Sequence, residues 1–283
     1  MPRVALLLFT SLLAAGCGGG SEKQLPKDIT IPTDRGPDVE PVVPKTSEPE
    51  AAKFIQARLV AATGGKPERL EKLKAFRQKA TGRWKWPDGS IPVPATREVS
   101  AVWPGKVGVK LDFNGGQIKE THVVLRDGTA RMSNNIGTGF VPFEPPNPKD
   151  FDAIASVDVI AEQWLPMLLP LTDPQTIVFG FKKQPIDGQM ADTVKAVIPR
   201  CPPFTLWFDA NNGTLGLITF THAEFEGRPI AKQVALYEYK PFDGLSLPTK
   251  IVYRRGVEAV QEWTVSRWEF PEKIEDAAFE LKK

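Results

Sequence analysis

Histidine and cysteine side chains are well suited to metal binding and nucleophilic catalysis, and the 283-residue chain contains only two of each. His122 follows Glu120 by two residues, and His222 precedes Glu224 by two, so each histidine shares a strand face with one carboxylate. A tetrahedral metal site would form only if both pairs converged. We therefore favour ordinary polar roles for both histidines and expect neither a metal site nor a cofactor.

Catalytic motifs are absent from the sequence. It has no Gly-x-Ser-x-Gly nucleophile elbow, no His-Glu-x-x-His motif and no phosphate-binding glycine loop. Cys201 lies beside two prolines with no histidine base nearby in sequence, which favours a structural thiol. We expect a protein that is not an enzyme. Lys+Arg number 36 against 34 Asp+Glu, and this balance argues against nucleic-acid binding, which needs a basic excess.

Cys17 has the most specific predicted chemistry. Arg3 precedes Val4–Ala15, an apolar run too short for a membrane span of about 20 residues but typical of a secretory signal. The sequence Leu-Ala-Ala-Gly-Cys that ends at Cys17 resembles the bacterial lipobox. This resemblance implies that residues 1–16 are a signal peptide and that acyl chains on Cys17 anchor the protein to a membrane. The alternative is an ordinary signal peptide with a chance cysteine.

Residues 17–49 form the predicted anchor and tether. They contain six prolines and no aromatic residue, so they bury too little apolar area to offset the entropy of ordering. We expect a disordered, extended linker ahead of one folded domain at residues 50–283. Gly18 rather than aspartate follows the cysteine. By resemblance to the sorting rule of Gram-negative bacteria, this implies the periplasmic face of the outer membrane.

The folded part begins with a helix and continues as strands. From Glu48 to Thr63, apolar residues recur every three or four positions, which predicts an amphipathic helix with Ser47 as its N-cap. From Phe76 onward the period changes to two, which predicts strands with one apolar and one polar face. About ten or eleven strands joined by short turns favour an antiparallel meander or barrel.

The middle of the chain departs from this pattern. Asn134–Pro148 is interpreted as a loop whose apolar residues, Phe140 and Phe143, form a lip or a membrane-touching segment. Asp150–Leu171 is predicted to be a second amphipathic helix that Pro166 and Pro170 end.

Three stretches near the C-terminus resemble one family. Phe204–Asn212 with the following glycine, Tyr237–Ile251, and Trp263–Phe270 with Ala278-Phe279 are similar to motifs of the LolA/LolB-like superfamily of outer-membrane lipoprotein carriers and sorting proteins. The resemblance implies a mainly β domain: a curved, unclosed antiparallel β-barrel with helices over its concave face. It also implies an apolar cavity for the acyl chains of lipids or lipoproteins.

The residues themselves also favour a cavity, because strand after strand has an apolar face and few helices are available to cover so much of it. The alternative is that the helices fill the concave face completely. The predicted ligand-binding residues are Trp84, Trp86, Leu111, Phe113, Phe179, Phe181, Phe208 and Phe220.

These observations predict a monomeric, lipid-anchored envelope protein that binds lipid or acylated protein cargo. Its own anchor makes it more similar to the receiving partner in lipoprotein sorting than to a soluble shuttle. The alternative is a non-carrier envelope protein that uses the same fold for protein binding or stress sensing.

Overall fold

The computed structural model describes residues 43–85, 91–125, 128–136, 140–143, 148–186, 189–223, 229–256 and 258–281. The predicted lipid attachment site Cys17, the predicted tether as far as residue 42 and the predicted site residue Trp86 lie outside these ranges. Within them, none of the helices combines the length and the apolar character that crossing a membrane requires.

Thirteen strands of the described residues form one antiparallel sheet. The strands are β1 Ala75–Trp84, β2 Val93–Val102, β3 Lys106–Phe113, β4 Ile118–Val124, β5 Ala130–Ile136, β6 Phe140–Phe143, β7 Ile177–Ile186, β8 Gln189–Val197, β9 Phe204–Asp209, β10 Leu215–Ala223, β11 Pro229–Phe242, β12 Leu245–Arg255 and β13 Glu258–Glu269. Their order is β6-β5-β4-β3-β2-β1-β13-β12-β11-β10-β9-β8-β7, so two meanders meet where β1 pairs with β13. The edge strands β6 and β7 do not pair with each other, which confirms the predicted unclosed sheet.

The predicted strand count is too low by two or three, because β2, β5 and β6 have weak sequence signals. In β2, the residues that alternate into the core include Arg97, and a charged side chain in that row hides the apolar pattern. Polar residues dominate β5. The segment predicted as a loop around Phe140 and Phe143 is strand β6, which tolerates Pro142 because it lies at an edge of the sheet.

The inner face of the sheet is defined here as the face that carries Phe76, Val99, Leu111, Phe208 and Trp263, all of them members of the main hydrophobic core. Helix α1, Pro49–Ala62, covers the β7 side of this face and confirms the predicted first helix. Its apolar stripe places Phe54 against two aromatic rings of the sheet, Phe181 at 4.7 Å and Phe208 at 5.2 Å between centroids.

Ser47 does not cap α1 as predicted. Its Oγ instead accepts a hydrogen bond from the backbone N–H of Val178 in β7, at 3.0 Å. The Glu48 carboxylate accepts from the N–H of Gly180, and the Glu48 N–H donates to the Val178 carbonyl. An edge strand presents unpaired backbone groups, so the residues before α1 satisfy part of the β7 edge.

The connection between β6 and β7 crosses the inner face. It consists of a short helix, here called α3, over Pro148–Val159, then a π-helical turn over Ile160–Trp164, and then 3₁₀ turns over Leu165–Met167 and Leu169–Thr172. A four-residue helix, α2, lies earlier, at Leu70–Leu73. The predicted helix of residues 150–171 is therefore confirmed in its first part, and Pro166 and Pro170 lie in the tighter turns that follow.

The C-terminal segment lies on the outer face. Phe279, in a 3₁₀ turn over Asp276–Phe279, packs with Ile274 and Val123 in a small separate cluster. The segment approaches β3 so closely that a Cβ atom at Gly108 would lie 2.5 Å from the Ala278 carbonyl oxygen. Only glycine fits this position without moving the backbone.

Candidate ligand-binding cavity

A cavity of about 670 Å³ lies between α3 and the inner face of the sheet. An aliphatic part of its wall consists of Val107, Val109 and Leu111 from β3 and Ile154 and Val159 from α3, and charged and polar side chains of α3 and several strands line much of the rest. Ligand sites for small organic molecules commonly have volumes of about 300–1,000 Å³ and a mainly apolar lining. The cavity is therefore large enough for part of a lipid, and the apolar part of its wall favours an alkyl chain.

A partly buried ion pair holds α3 to the opposite meander. Lys232 of β11 donates from Nζ to both carboxylate oxygens of Asp158 in α3, each at 2.9 Å. The hydroxyl of Tyr253 in β12 also donates to Asp158, at 3.3 Å. The Lys232 side chain is only 4% exposed, so loss of the Asp158 charge would leave the Lys232 ammonium poorly solvated. This contact fixes the distance between α3 and the β11–β12 part of the inner face.

A second charged pair lies at the base of the cavity. Arg97 of β2 is 2% exposed, donates from Nη2 to Gln78 Oε1 at 2.7 Å, and lies 4.7 Å from the centre of the Trp263 ring. Its Nη1 lies 3.9 Å from Glu162 Oε2 in the π-helical turn, which is an ion-pair distance without a hydrogen bond. The Arg97 Nε has no hydrogen-bond partner among the described residues.

Burial dominates the electrostatics of this second pair. It raises the pKa of Glu162 from its ordinary 4.5 to about 7, although the nearby Arg97 charge acts in the opposite direction. Burial likewise lowers the pKa of Arg97 from 12.5 to about 10, and the Glu162 charge offsets part of that shift. Burial thus favours the neutral, protonated form of Glu162, whereas Arg97 keeps its charge near neutral pH.

Hydrogen bonds hold the other side of α3 to the β4–β5 hairpin. The backbone N–H of Ala130 donates to Asp152 Oδ1 at 2.7 Å, and the Ser156 hydroxyl donates to the Gly128 carbonyl at 3.2 Å. The helix is therefore fixed on both sides. Because α3 is held from both sides, it can cover the inner face while space remains beneath it.

The structure brings together only part of the predicted site. Trp84 and Leu111 line the cavity, and the Trp84 ring also contacts Phe113 and Trp263. Phe113 is fully buried in the core beside Trp84 and does not line the cavity. Phe140 and Phe143 are in β6, and their side chains lie outside the described part of the structure.

Four predicted phenylalanines lie away from the cavity. Phe181 and Phe208 pack against Phe54 of α1, and Phe208 also borders a separate depression at the ends of β8 to β11. Phe220 is 4% exposed and packs on Phe204 with 5.2 Å between ring centres. Phe179 is on the outer face, opposite Lys195, because a register shift after this residue interrupts the alternation assumed from the sequence.

The charged residues of the cavity are not among the predicted site residues. Asp158 and Glu162 are four residues apart in the mid-chain helical segment, a spacing that places them on one helix face, toward the sheet in this case. Arg97 alternates with buried Ala95 and Val99, which is the signal that would have identified it as an inward-facing residue. Neither signal reveals the partner, because each pair joins elements that are distant in sequence.

The structure shows the predicted neighbouring carboxylate for one of the two histidines. His122 lines the cavity, and its Nε2 lies 2.9 Å from Glu120 Oε2, as the strand spacing predicted. Glu224, the predicted neighbour of His222, lies outside the described residues. Within the described ranges, no three His, Cys, Asp or Glu side chains are grouped closely enough to hold a metal ion.

A smaller cavity of about 310 Å³ lies at the other end of α3. Trp103, Trp164, Ile198 and Cys201 contribute to its lining, and the two tryptophan rings are 5.2 Å apart. Cys201 is half-buried, and burial raises its pKa to about 12. The thiol is therefore protonated near neutral pH, which is consistent with the structural role predicted for it.

The fold is similar to that of solved bacterial proteins. A LolA superfamily protein from Nitrosomonas europaea matches with a TM-score of 0.51 and 12% identity, over 80% of this chain and 97% of that chain. A domain named for outer-membrane lipoprotein sorting, from Vibrio parahaemolyticus, matches with a TM-score of 0.48 and 11% identity, over 81% and 96% of the two chains. No protein-family model matches the sequence, and no curated protein does. The first likeness shows that the chain has a LolA-like fold, as the sequence motifs implied.

Proposed function

We propose that this protein is a lipid-anchored component of the bacterial cell envelope whose folded domain binds a hydrophobic ligand beneath α3. The ligand class is a lipid or the acyl chains of a lipoprotein. The observation that carries the proposal is the cavity of about 670 Å³ with the aliphatic part of its wall, since apolar contact contributes roughly 25 cal/mol for each Å² buried.

The anchoring part of the proposal rests on the sequence of residues 1–17. Acylation of Cys17 would hold the domain at a membrane surface, and the tether would let it move away from that surface. A protein placed in this way could receive acylated cargo at the periplasmic face of the outer membrane, which is the role in lipoprotein sorting that the motif resemblance suggests. We expect the protein to act as a monomer.

The cavity can be tested by filling it. Ala155 on α3 lines the cavity, whereas Ala52 is exposed on α1, so tryptophan at each position gives a matched pair. In the mature chain with Cys17→Ser, we expect Ala155→Trp to weaken binding of a fluorescent fatty acid by roughly tenfold or more. Ala52→Trp should leave the affinity within about twofold of the parent.

Native mass spectrometry of the same chain gives an independent readout. A co-purifying lipid that is lost in Ala155→Trp and retained in Ala52→Trp would support the proposal. Protein that is consistently empty and takes up no fluorescent fatty acid would contradict it, and would favour the alternative of a non-carrier envelope protein.

A further inference from the structure

The two cavities beside α3 have three lining residues in common. Val107 of β3, Val124 of β4 and Val159 of α3 border both the cavity of about 670 Å³ and the cavity of about 310 Å³. These three aliphatic side chains therefore lie at the boundary between the two spaces. Rotation of a valine side chain is a small rearrangement compared with movement of a helix.

The two cavities differ in their polar groups. Three side chains of the larger cavity have a buried polar atom without a hydrogen-bond partner among the described residues: Trp84 Nε1, Arg97 Nε and Gln163 Oε1. Arg97 and Gln163 are 2% and 3% exposed, so the shortage falls on deeply buried groups. Unpartnered buried polar groups are costly and are normally satisfied in the functional state of a protein.

The smaller cavity shows no such shortage. None of the side chains that line it has a buried polar atom without a partner in the described part of the chain. Trp103, Trp164, Ile160 and Ile198 line part of it together with the protonated thiol of Cys201, and polar side chains that include Lys106, Asp173 and Arg200 line the rest. An alkyl chain could enter this space without removing water from an unsatisfied polar group.

From this asymmetry we infer that the two cavities form one site for a long single-chain amphiphile, with the oxygen-bearing head group in the larger cavity and the end of the chain in the smaller one. This inference rests on the proposed function, because it assumes that the larger cavity binds lipid. Head-group oxygens would accept hydrogen bonds from Arg97 and Trp84. The three shared valines would surround the middle of the chain.

Chain length and the accessibility of Cys201 test this arrangement together. In the mature chain with Cys17→Ser, Cys201 is the one remaining cysteine, since the sequence contains two. We expect saturating palmitate to slow maleimide labelling of Cys201 at least fivefold. Decanoate has six fewer carbons, so we expect its chain to end before the valines, and saturating decanoate should leave the labelling rate within twofold of the unliganded rate.

A variant at the junction gives a second readout. Val159→Trp should narrow the passage and weaken palmitate binding about tenfold while leaving decanoate binding within about twofold. Val60, which is 40% exposed on α1, supplies the matched control Val60→Trp, for which neither affinity should change. If Val159→Trp does not fold, the labelling experiment on the parent chain decides the question alone.

The outcomes separate this inference from the proposed function. If neither fatty acid binds, the proposed function fails and this inference fails with it. If both bind but palmitate does not protect Cys201, the larger cavity binds lipid and the continuous site is wrong. Protection by palmitate alone supports the inference, and where the two readouts disagree the protection experiment is decisive.

The head-group position has its own test. Trp84→Phe removes the indole N–H but keeps an aromatic ring beside Phe113 and Trp263. Loss of one hydrogen bond worth about 1 kcal/mol should weaken palmitate roughly fivefold. If Trp84→Phe loses affinity for lysophosphatidylglycerol to the same extent, the site also accepts lipid head groups. If it loses affinity for palmitate alone, the site is restricted to free fatty acids. An unchanged affinity for both probes would contradict the assigned head-group position.

Discussion

The α1 side and the α3 side of the inner face solve the same packing problem in different ways. On the α1 side, Phe54, Phe181 and Phe208 fill the space between helix and sheet with contacting rings. On the α3 side, ion pairs and hydrogen bonds set the position of the helix, and aliphatic side chains together with charged and polar ones line the space that remains. A large aromatic residue closes a cavity, whereas a charged contact can hold a helix away from the sheet.

This contrast explains why most of the predicted aromatic site residues are core residues. Large apolar side chains contribute most to stability when they are completely surrounded, so a row of phenylalanines more often marks a filled region than an open one. The open region has shorter side chains and a polar base. Three changes would test how far this division extends, beginning with the largest expected effect.

Phe208→Ala should show that the α1 side serves stability. The side chain is 1% exposed, and its removal leaves a void between α1 and β9, so we expect a loss of about 3–5 kcal/mol in the free energy of unfolding. Urea denaturation would measure this loss. Fatty-acid affinity of the folded variant should remain within about twofold of the parent, and a tenfold loss would place ligand on the α1 side instead.

Glu162 should make the α3 side sensitive to pH. Its folded-state pKa of about 7 exceeds its ordinary 4.5, so the folded protein binds more protons than the unfolded chain between these values. The contribution of Glu162 to stability is therefore greatest below about pH 4.5, falls as pH rises, and is lost above about pH 7. The total change is about 3 kcal/mol at most.

Glu162→Gln tests this pH dependence because glutamine has no charge to titrate. Urea denaturation at several pH values would measure the unfolding free energies of parent and variant. The difference between the two free energies should change only between about pH 4.5 and about pH 7. The parent should lose about 2–3 kcal/mol more than the variant on going from acid to neutral pH. Parallel curves for the two proteins would show that Glu162 does not titrate in this range.

Two matched valine-to-alanine substitutions allow the most direct comparison of packing on the two sides. We expect them to give the smallest difference in unfolding free energy. Val109 faces the larger cavity, whereas Val194 in β8 is fully buried in the core. Val109→Ala should cost about 1 kcal/mol, because it enlarges existing space, and Val194→Ala about 2–3 kcal/mol, because it creates a new void. Equal losses in thermal or urea unfolding would indicate that the α3 side is as closely packed as the α1 side.

Local sequence patterns predicted the elements well where one apolar row alternates with one polar row. Strand β1 is the clearest example: Phe76, Gln78 and Ala80 are buried, and the residues between them are exposed. The prediction failed where the inward row contains a charge, as at Arg97 in β2. It also failed where an irregularity changes the row, as between Phe179 and Phe181 in β7. Neither change can be detected from a period of two.

The sequence by itself determined the antiparallel sheet, the first helix and the helical crossing near residue 150, because periodicity and turn residues act over short distances. Tertiary structure decided which inward-facing residues are packed and which line a cavity. That outcome depends on volumes and charges supplied by elements far apart in the chain, such as Asp158 with Lys232 and Glu162 with Arg97. Each charge needs a partner when it is buried, and only the folded chain brings that partner within reach.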